Sequence, residues 1–330
     1  MYRYIFRRFL YMLLIVWLTS VVSFMINQLP AGDYVTSLAT AYARSGRDID
    51  QAKLDNLRHQ FGLDRPVYEQ YFHWAANVLQ GDWGWSFRLK QSVVEAVGDR
   101  VGLTAAITIS TLLLTYIVAI PIGIYSATHQ YSKMDYLFMF TGFMGMAMPA
   151  FLVALILMFI FLNAGLGVGG LFSPEYMRAP WSTGKVIDLL KHLPLPILII
   201  GLSGTAGLIR IVRASLLDEL GKQYVVTARA KGLHETRLIF KYPVRVALNP
   251  IASTIGWELP YIVSGGLIVE MVLNLPTTGP LLYQSLITED IYLATSLLFF
   301  LVVLTVIGTF ISDVVLVIVD PRIRFASREA

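Results

Sequence analysis

The sequence predicts an all-α membrane protein with six transmembrane helices and a helical external subdomain between the first and second. Three observations carry this reading. Of 330 residues, 56% are hydrophobic and only 15% charged, and the mean hydropathy is +0.62, too apolar for an ordinary soluble domain. Six apolar stretches reach the roughly 20 residues a helix needs to cross the hydrocarbon core. Lys and Arg are distributed unevenly among the segments that join those stretches, which is how such chains set their orientation.

The elements follow in order. The opening "MYRYIFRRFLYMLLIVWLTSVVSFMINQL" pairs a basic start with an apolar run. That run is too long for a signal-peptide core and lacks a small-residue cleavage site, so 9–29 reads as a retained first span and 1–29 as the first segment. The segment 30–100 is too long for a connector. Its "DIDQAKLDNLRHQFGL" offers Ile49, Leu54, Leu57 and Phe61 to one helical face, and "DRPVYEQYFHWAANVLQGDWGWSF" continues with an aromatic-rich amphipathic pattern. Trp74, Trp83 and Trp85 are expected near the lipid headgroups. The remaining core, 101–320, holds spans over 101–128, 137–163, 193–212, 251–273 and 291–319. The second, third and sixth spans are long enough to tilt. "AIPIGIYSA" and "GMAMPAF" place Pro within two of them, tolerated where neighbouring helices satisfy the freed backbone groups. A short tail, 321–330, closes the chain.

Six spans put both termini on one side. With that side cytoplasmic, it holds Arg3, Arg7 and Arg8, Lys133, the eight Lys and Arg of 210–245, and Arg322, Arg324 and Arg328, fifteen of the chain's 26. Eight of the remainder lie in the long first loop, and long loops obey the positive-inside rule poorly. Both termini and 210–245 are therefore expected in the cytoplasm. The pI of about 9.1 reports this topology and calls for no nucleic-acid partner.

Several motifs invite chemistry. "GLGVGG" at 165–170 fits G-x-G-x-x-G but follows a span and precedes "LFSPEYM", so it reads as a loop. "GLSG" around Ser203 has the form of an intramembrane serine protease. Such a serine needs a histidine base within hydrogen-bond reach, yet His59, His73, His129, His192 and His234 all lie away from the middle of a span, so close helix packing by small residues is the simpler account. "STGK" at 182–185 lacks the first glycine and final hydroxyl of a P-loop, so this chain does not hold ATP in that way. No metal-ligand spacing is present, and the absence of cysteine excludes disulfides and thiolate catalysis. Ionisable residues in spans are functional hypotheses by default. Glu258, Glu270 and Asp313 are the candidates, either lining a pathway or contacting a neighbouring helix, with Glu270 placed to hold the loop that follows it.

The basic stretch "SLLDELGKQYVVTARAKGLHETRLIFKYPVRVALNP" is the most specific signal. Small residues at Thr227, Ala228 and Ala230 let a short helix enter a groove closely, Gly232 can take positive φ and stop that helix, and Arg229 and Lys231 flank it with charge. The stretch resembles the cytoplasmic signature of ABC-importer permeases of the dipeptide/oligopeptide/nickel family, loosely E-A-A-x-x-x-G, with Val226, Thr227 and Ala228 at the E-A-A positions. Against that branch's Y-V-R-T-A-R-A-K-G-L, the run from Tyr224 to Leu233 departs only at Val226. The likeness extends to "RYIFRRFLYMLLIVW" at the start, G-L-D-x-P and G-D-x-G-x-S in the first loop, Glu270, Pro276 and Gly279 in "GLIVEMVLNLPTTGPLLYQSL", and the closing "DPRIRF". Gln223 replaces a common acid, and Tyr242 and Pro243 replace His-Ala, so a helix there is expected to kink or to begin at Pro243.

The resemblance implies a coupling helix within 213–249, between the fourth and fifth spans. Tyr224, Thr227, Ala228, Arg229, Ala230, Lys231 and Gly232 would carry the contact with an ATPase. It implies a second permease, two ATPase subunits holding ATP and Mg, an external solute-binding protein and a bacterial or archaeal inner-membrane location. No cofactor and no enzymatic activity are expected in this chain. Peptides, oligosaccharides and nickel chelates are the substrate classes it allows. A secondary transporter or an intramembrane protease stands as the alternative of a different class.

Overall fold

A computed structural model describes residues 2–29, 34–44, 50–60, 62–165, 169–251, 254 and 266–319. The described elements are almost all helical. They are α1 (Tyr2–Asn27), α2 (Tyr34–Arg44), α3 (Gln51–Gln60), α4 (Val67–Leu79), a two-stranded hairpin of β1 (Trp85–Ser86) and β2 (Gln91–Ser92), α5 (Val93–Thr128), α6 (Lys133–Ala147), α7 (Ala150–Asn163), α8 (Thr183–His192), α9 (Pro194–Leu220), α10 (Gln223–Ala230), α11 (Glu235–Lys241), α12 (Pro243–Ala247), α13 (Leu267–Val272), α14 (Thr278–Ile287) and α15 (Ile291–Val319). The chain divides into two compact units: 10–104 with 276–306, and 1–9 with 105–275 and 307–330.

Four described helical stretches are long and apolar enough to cross a membrane: Ile5–Asn27, Val93–Thr128, Pro194–Leu220 and Ile291–Val314. The expected third span is two helices. α6 and α7 meet at 104°, because Met148, constrained by the proline after it, is extended at φ −89° and ψ 132° and Pro149 opens a new helix. The pair counts as a fifth crossing if it spans as one. Most of the expected span over 251–273, with Glu258, lies outside the described residues.

The unit of 10–104 and 276–306 is built on two cores. Phe24, Tyr71, Trp74 and Phe299 form an aromatic cluster with neighbouring ring centroids 5.6 to 6.1 Å apart, a spacing that favours edge and offset contacts. Val93, Ala96 and Val97 of α5 pack on Leu281 of α14 and on Leu293 and Leu297 of α15. The hairpin was not foreseen. It pairs Trp85 with Ser92 and Ser86 with Gln91, and its turn closes through Lys90 at φ 53°. The G-D-x-G-x-S motif explains it: Gly81 and Gly84 take positive φ, Asp82 accepts from the Gly84 amide at 2.9 Å, and the Ser86 hydroxyl donates to Asp290 at 2.6 Å. Of the three tryptophans expected at headgroups, Trp74 is instead buried at 3% exposure and Trp83 packs against the α5–α14–α15 core. Trp85 alone of the three is exposed. The Trp74 indole N–H lies 3.4 Å from the Ser296 hydroxyl, so its polar edge is met inside the unit.

The other unit is organised around α9. Ala119 of α5 packs with Leu208, Ile209 and Val212 of α9 and with Ile251. The contact is close because small residues line it: a Cβ added at Gly123 would lie 2.6 Å from Val212 Cβ, and one at Gly145 of α6 would lie 2.9 Å from Leu202. Ser203 belongs to this seam, its hydroxyl donating to the Gly145 carbonyl at 3.4 Å. "STGK" is a helix start: Ser182 caps α8 by accepting from the Lys185 amide, and Lys185 Nζ donates to the Ala179 carbonyl at 2.6 Å while lying over the Phe172 and Trp181 rings. Burial opposes ionisation of Asp188 in α8, but hydrogen bonds from the Ser173 hydroxyl and amide outweigh it and hold the carboxyl below its usual range.

Candidate functional site

α9 ends at Leu220. Gly221 and Lys222 turn the chain, and α10 starts at Gln223. An eight-residue helix has too few turns to be stable alone in water, so its position is set by tertiary contacts. Val225 and Ala228 bury against Leu238 of α11, with Leu233, Ile239 and Tyr242 closing the cluster. Ala228 therefore works inward. Its small side chain lets α10 sit close on α11 and is not available to a partner.

Two polar links fix the helix further. The Tyr224 hydroxyl donates to the Glu219 carboxylate at the end of α9. Burial and that carboxylate push the phenol well above its usual range, so it stays protonated and keeps donating. Arg229 grips Glu235 with both arms, Nε to Oε2 at 3.0 Å and Nη2 to Oε1 at 2.6 Å. The bidentate fork suits guanidinium and carboxylate; it lowers the Glu235 carboxyl and raises the Arg229 guanidinium.

Gly232 ends α10 at φ +76°, with its amide donating to the Arg229 carbonyl at 3.0 Å. No atom lies within 4 Å of where a Cβ would stand. The backbone conformation, not space, demands glycine. α11 runs to Lys241 and α12 begins at Pro243, with Tyr242 at φ −117° and ψ −79° between them, so the helix begins at the proline as its chemistry requires.

Of the seven residues singled out in the sequence, Tyr224, Thr227, Arg229, Ala230, Lys231 and Gly232 are exposed and Ala228 is buried. Val226 joins the exposed face at 48%, and Phe240 of α11 is 55% exposed. Phe240 was missed, although "LIF" carries a signal. At 100° per residue, a helix that buries Leu238 turns Phe240 away from the same core. A recess of about 560 Å³ opens here, with apolar walls from Ile124, Leu220, Ile239 and Phe240 and polar groups from Thr128, His129, Arg229, Glu235 and Thr236.

The other candidates separate. Asp313 pairs with Arg8 at 3.2 Å, a helix-to-helix contact. Glu270 is 2% exposed in α13; its carbonyl accepts from the Leu275 amide at 2.8 Å, and the Leu273 carbonyl takes the Gly170 amide at 2.6 Å, so this turn anchors the loops around it.

Comparison with known proteins finds family matches along almost the whole chain. The family described as binding-protein-dependent transport system inner membrane component matches residues 119–325, and its N-terminal companion matches 1–108. The oligopeptide transport system permease protein AppB of Bacillus subtilis is 33% identical over 323 residues, covering 98% of this chain and 99% of the relative. The inner membrane ABC transporter permease protein YejB of Escherichia coli O157:H7 is 31% identical over 299 residues, 89% of this chain and 82% of the relative. The glutathione transport system permease protein GsiC of Escherichia coli K12 is 29% identical over 327 residues, 98% and 100%. With both halves of the sequence matched and relatives covered almost end to end, this chain belongs to the binding-protein-dependent transport system inner membrane component family and is a permease subunit of an ABC importer.

Proposed function

We propose that this chain forms, with a second permease, the pathway of an importer that carries peptides, and that α10 is the element an ATPase subunit grips. The observation that carries the reading is α10 itself: a short helix with Tyr224, Thr227 and Lys231 on its exposed side, tied to α9 through Tyr224 and Glu219. A helix so attached passes a push on its outer face into a long membrane helix. ATP and Mg belong to two partner ATPases, consistent with the missing P-loop. An external solute-binding protein supplies substrate. Both termini and α10 face the cytoplasm, and the Lys and Arg distribution supports this orientation.

Peptide substrates are favoured because relatives matching nearly the whole chain are named for oligopeptide and glutathione transport. Oligosaccharides and nickel chelates remain outcomes of the substrate assay. The seam that holds Ser203 supports packing over peptide-bond hydrolysis.

The test is Gly232→Val in the assembled importer, scored for both uptake and ATP hydrolysis. A β-branched residue at positive φ is strained by about 1–2 kcal/mol, enough to reshape the end of α10 without touching the spans. Insertion and complex assembly are expected to persist while uptake is lost. Gly232→Asn, which tolerates the left-handed region, is expected to retain much of it. Normal uptake by Gly232→Val would exclude α10 as the coupling element.

A further inference from the structure

A buried ion pair lies on α9, ahead of α10 in the chain. Arg213 of α9 donates from Nε to Asp135 Oδ1 and from Nη2 to Asp135 Oδ2, both at 3.0 Å. The Asp135 side chain is 3% exposed and the Arg213 side chain 19%. Asp135 lies in the first turn of α6, and the same carboxylate accepts from the Tyr131 amide at 3.0 Å. Tyr131 sits at φ 64°, in the left-handed region that a bulky residue rarely enters. Ser132 caps α6 by accepting from the Asp135 amide at 3.1 Å. One carboxylate therefore closes the strained turn between α5 and α6 and clamps it to α9.

Below the clamp the packing is continuous to α10. Leu216 of α9 is fully buried among Ala127 of α5 and Val244 and Ala247 of α12. Ile239 of α11 packs against that cluster and also against the one formed by Val225 and Ala228 of α10. Six residues beyond Arg213, Glu219 receives the Tyr224 hydroxyl. Apolar contacts of this kind tolerate sliding, because dispersion and hydrophobic burial have little directionality. The Arg213 fork does not, since two parallel hydrogen bonds fix distance and angle together.

We propose that Asp135 and Arg213 are positioning residues for transport: they make the start of α6, and the α5–α6 turn, move as one piece with α9 when α10 is displaced. The proposal rests on the reading of α10 as the coupling helix. Without the clamp α9 would still follow α10, but α6 would be free to lag, and the broken pair α6–α7 would not switch with it. ATP would be hydrolysed without solute being moved.

The experiment uses the whole importer in proteoliposomes with its binding protein, measuring uptake, ATP hydrolysis and subunit stoichiometry on one preparation. Asp135→Asn keeps shape and loses charge; Arg213→Lys keeps charge and loses the fork; Asp135→Arg with Arg213→Asp restores the pair in reverse. The single variants are expected to assemble with normal stoichiometry, to keep hydrolysis, and to move about tenfold less solute per ATP, the scale of a typical coupling between sites. The swap is expected to recover part of that ratio. Where Asp135→Asn fails to assemble, Arg213→Lys decides. Uptake and hydrolysis falling in parallel with the amount of assembled complex, or an unchanged ratio in Arg213→Lys, would overturn the proposal and leave the pair a folding contact. Gly232→Val in the same assay keeps the two ideas apart. If it uncouples and the clamp variants do not, only the clamp falls; if it does not uncouple, the role of α10 falls and the clamp with it.

Discussion

Glu235 is an acid within a basic stretch, and the structure turns Arg229 toward it. Arg229 was expected to offer its charge outward; it is held by Glu235 across the bend between α10 and α11, while Lys222 and Lys231 are exposed at the two ends of α10. The Glu235 carboxyl is lowered chiefly by the hydrogen bonds from Arg229. An acid whose folded value is depressed contributes stability above its unfolded value, about 4.3, and loses it as pH falls through the folded value. Around neutrality the pair is therefore insensitive to pH. Both side chains are about half exposed, 49% and 50%, so solvent screening keeps the contribution of the pair small. Amide exchange of 223–241, compared between the native chain and Glu235→Gln, is expected to differ by less than about fivefold at pH 7, with that difference vanishing as pH falls through the depressed value of the folded carboxyl. Equal protection of the two chains at neutral and at acid pH would mean that the Arg229–Glu235 pair adds nothing to the other contacts that hold α10. The Tyr224–Glu219 bond was not legible in the sequence. A Tyr five residues after a Glu meets it only because Gly221 and Lys222 fold α10 back.

At the scale of elements, three prolines with the same chemistry give different results. Pro243 starts α12, and Pro149 starts α7 after a 104° break. Pro121 remains inside α5, which runs on from Val93 to Thr128. Proline always removes an amide donor and crowds the preceding turn, so the residue alone predicts a disturbance in all three places. What differs is support. Ile120 and Ile122, on either side of Pro121, pack against the cluster of Ala119, Leu208, Ile209, Val212 and Ile251, so neighbours hold the helix through the defect. That support comes from residues about 90 positions away, which no local pattern reveals. The same seam makes Gly123 sensitive. A methyl there would stand 2.6 Å from Val212 Cβ, so Gly123→Ala is expected to destabilise by about 1–3 kcal/mol through overpacking. Val212→Ala in the same chain is expected to recover most of the loss, read as the thermal midpoint of the purified complex. A Gly123→Ala chain as stable as the native one would mean that α5 and α9 are not in this contact.

At the scale of the whole molecule, the family and transport role follow from matches along almost the full length, while the side each segment faces is the proposal that the Lys and Arg distribution supports. Orientation has its own test. A reporter fused after Leu233 is expected to read cytoplasmic and one after Gln60 external; the reverse would overturn the assignment of sides and with it the access of an ATPase to α10. The sequence by itself determined the membrane class, the positions of most apolar helices, the Y-V-x-T-A-R-A-K-G-L segment and the glycine that stops it. Each of these depends on composition, a short period or a residue's own backbone preference, which a linear chain displays openly. Only the tertiary structure decided that Ala228 faces inward, that Trp74 lies in an aromatic core, that α6 and α7 break apart, and that Asp135 closes on Arg213, 78 residues away. Those outcomes depend on which surfaces meet. In an apolar chain nearly every helix face is suitable for burial, so the choice among faces is made by the neighbours that arrive.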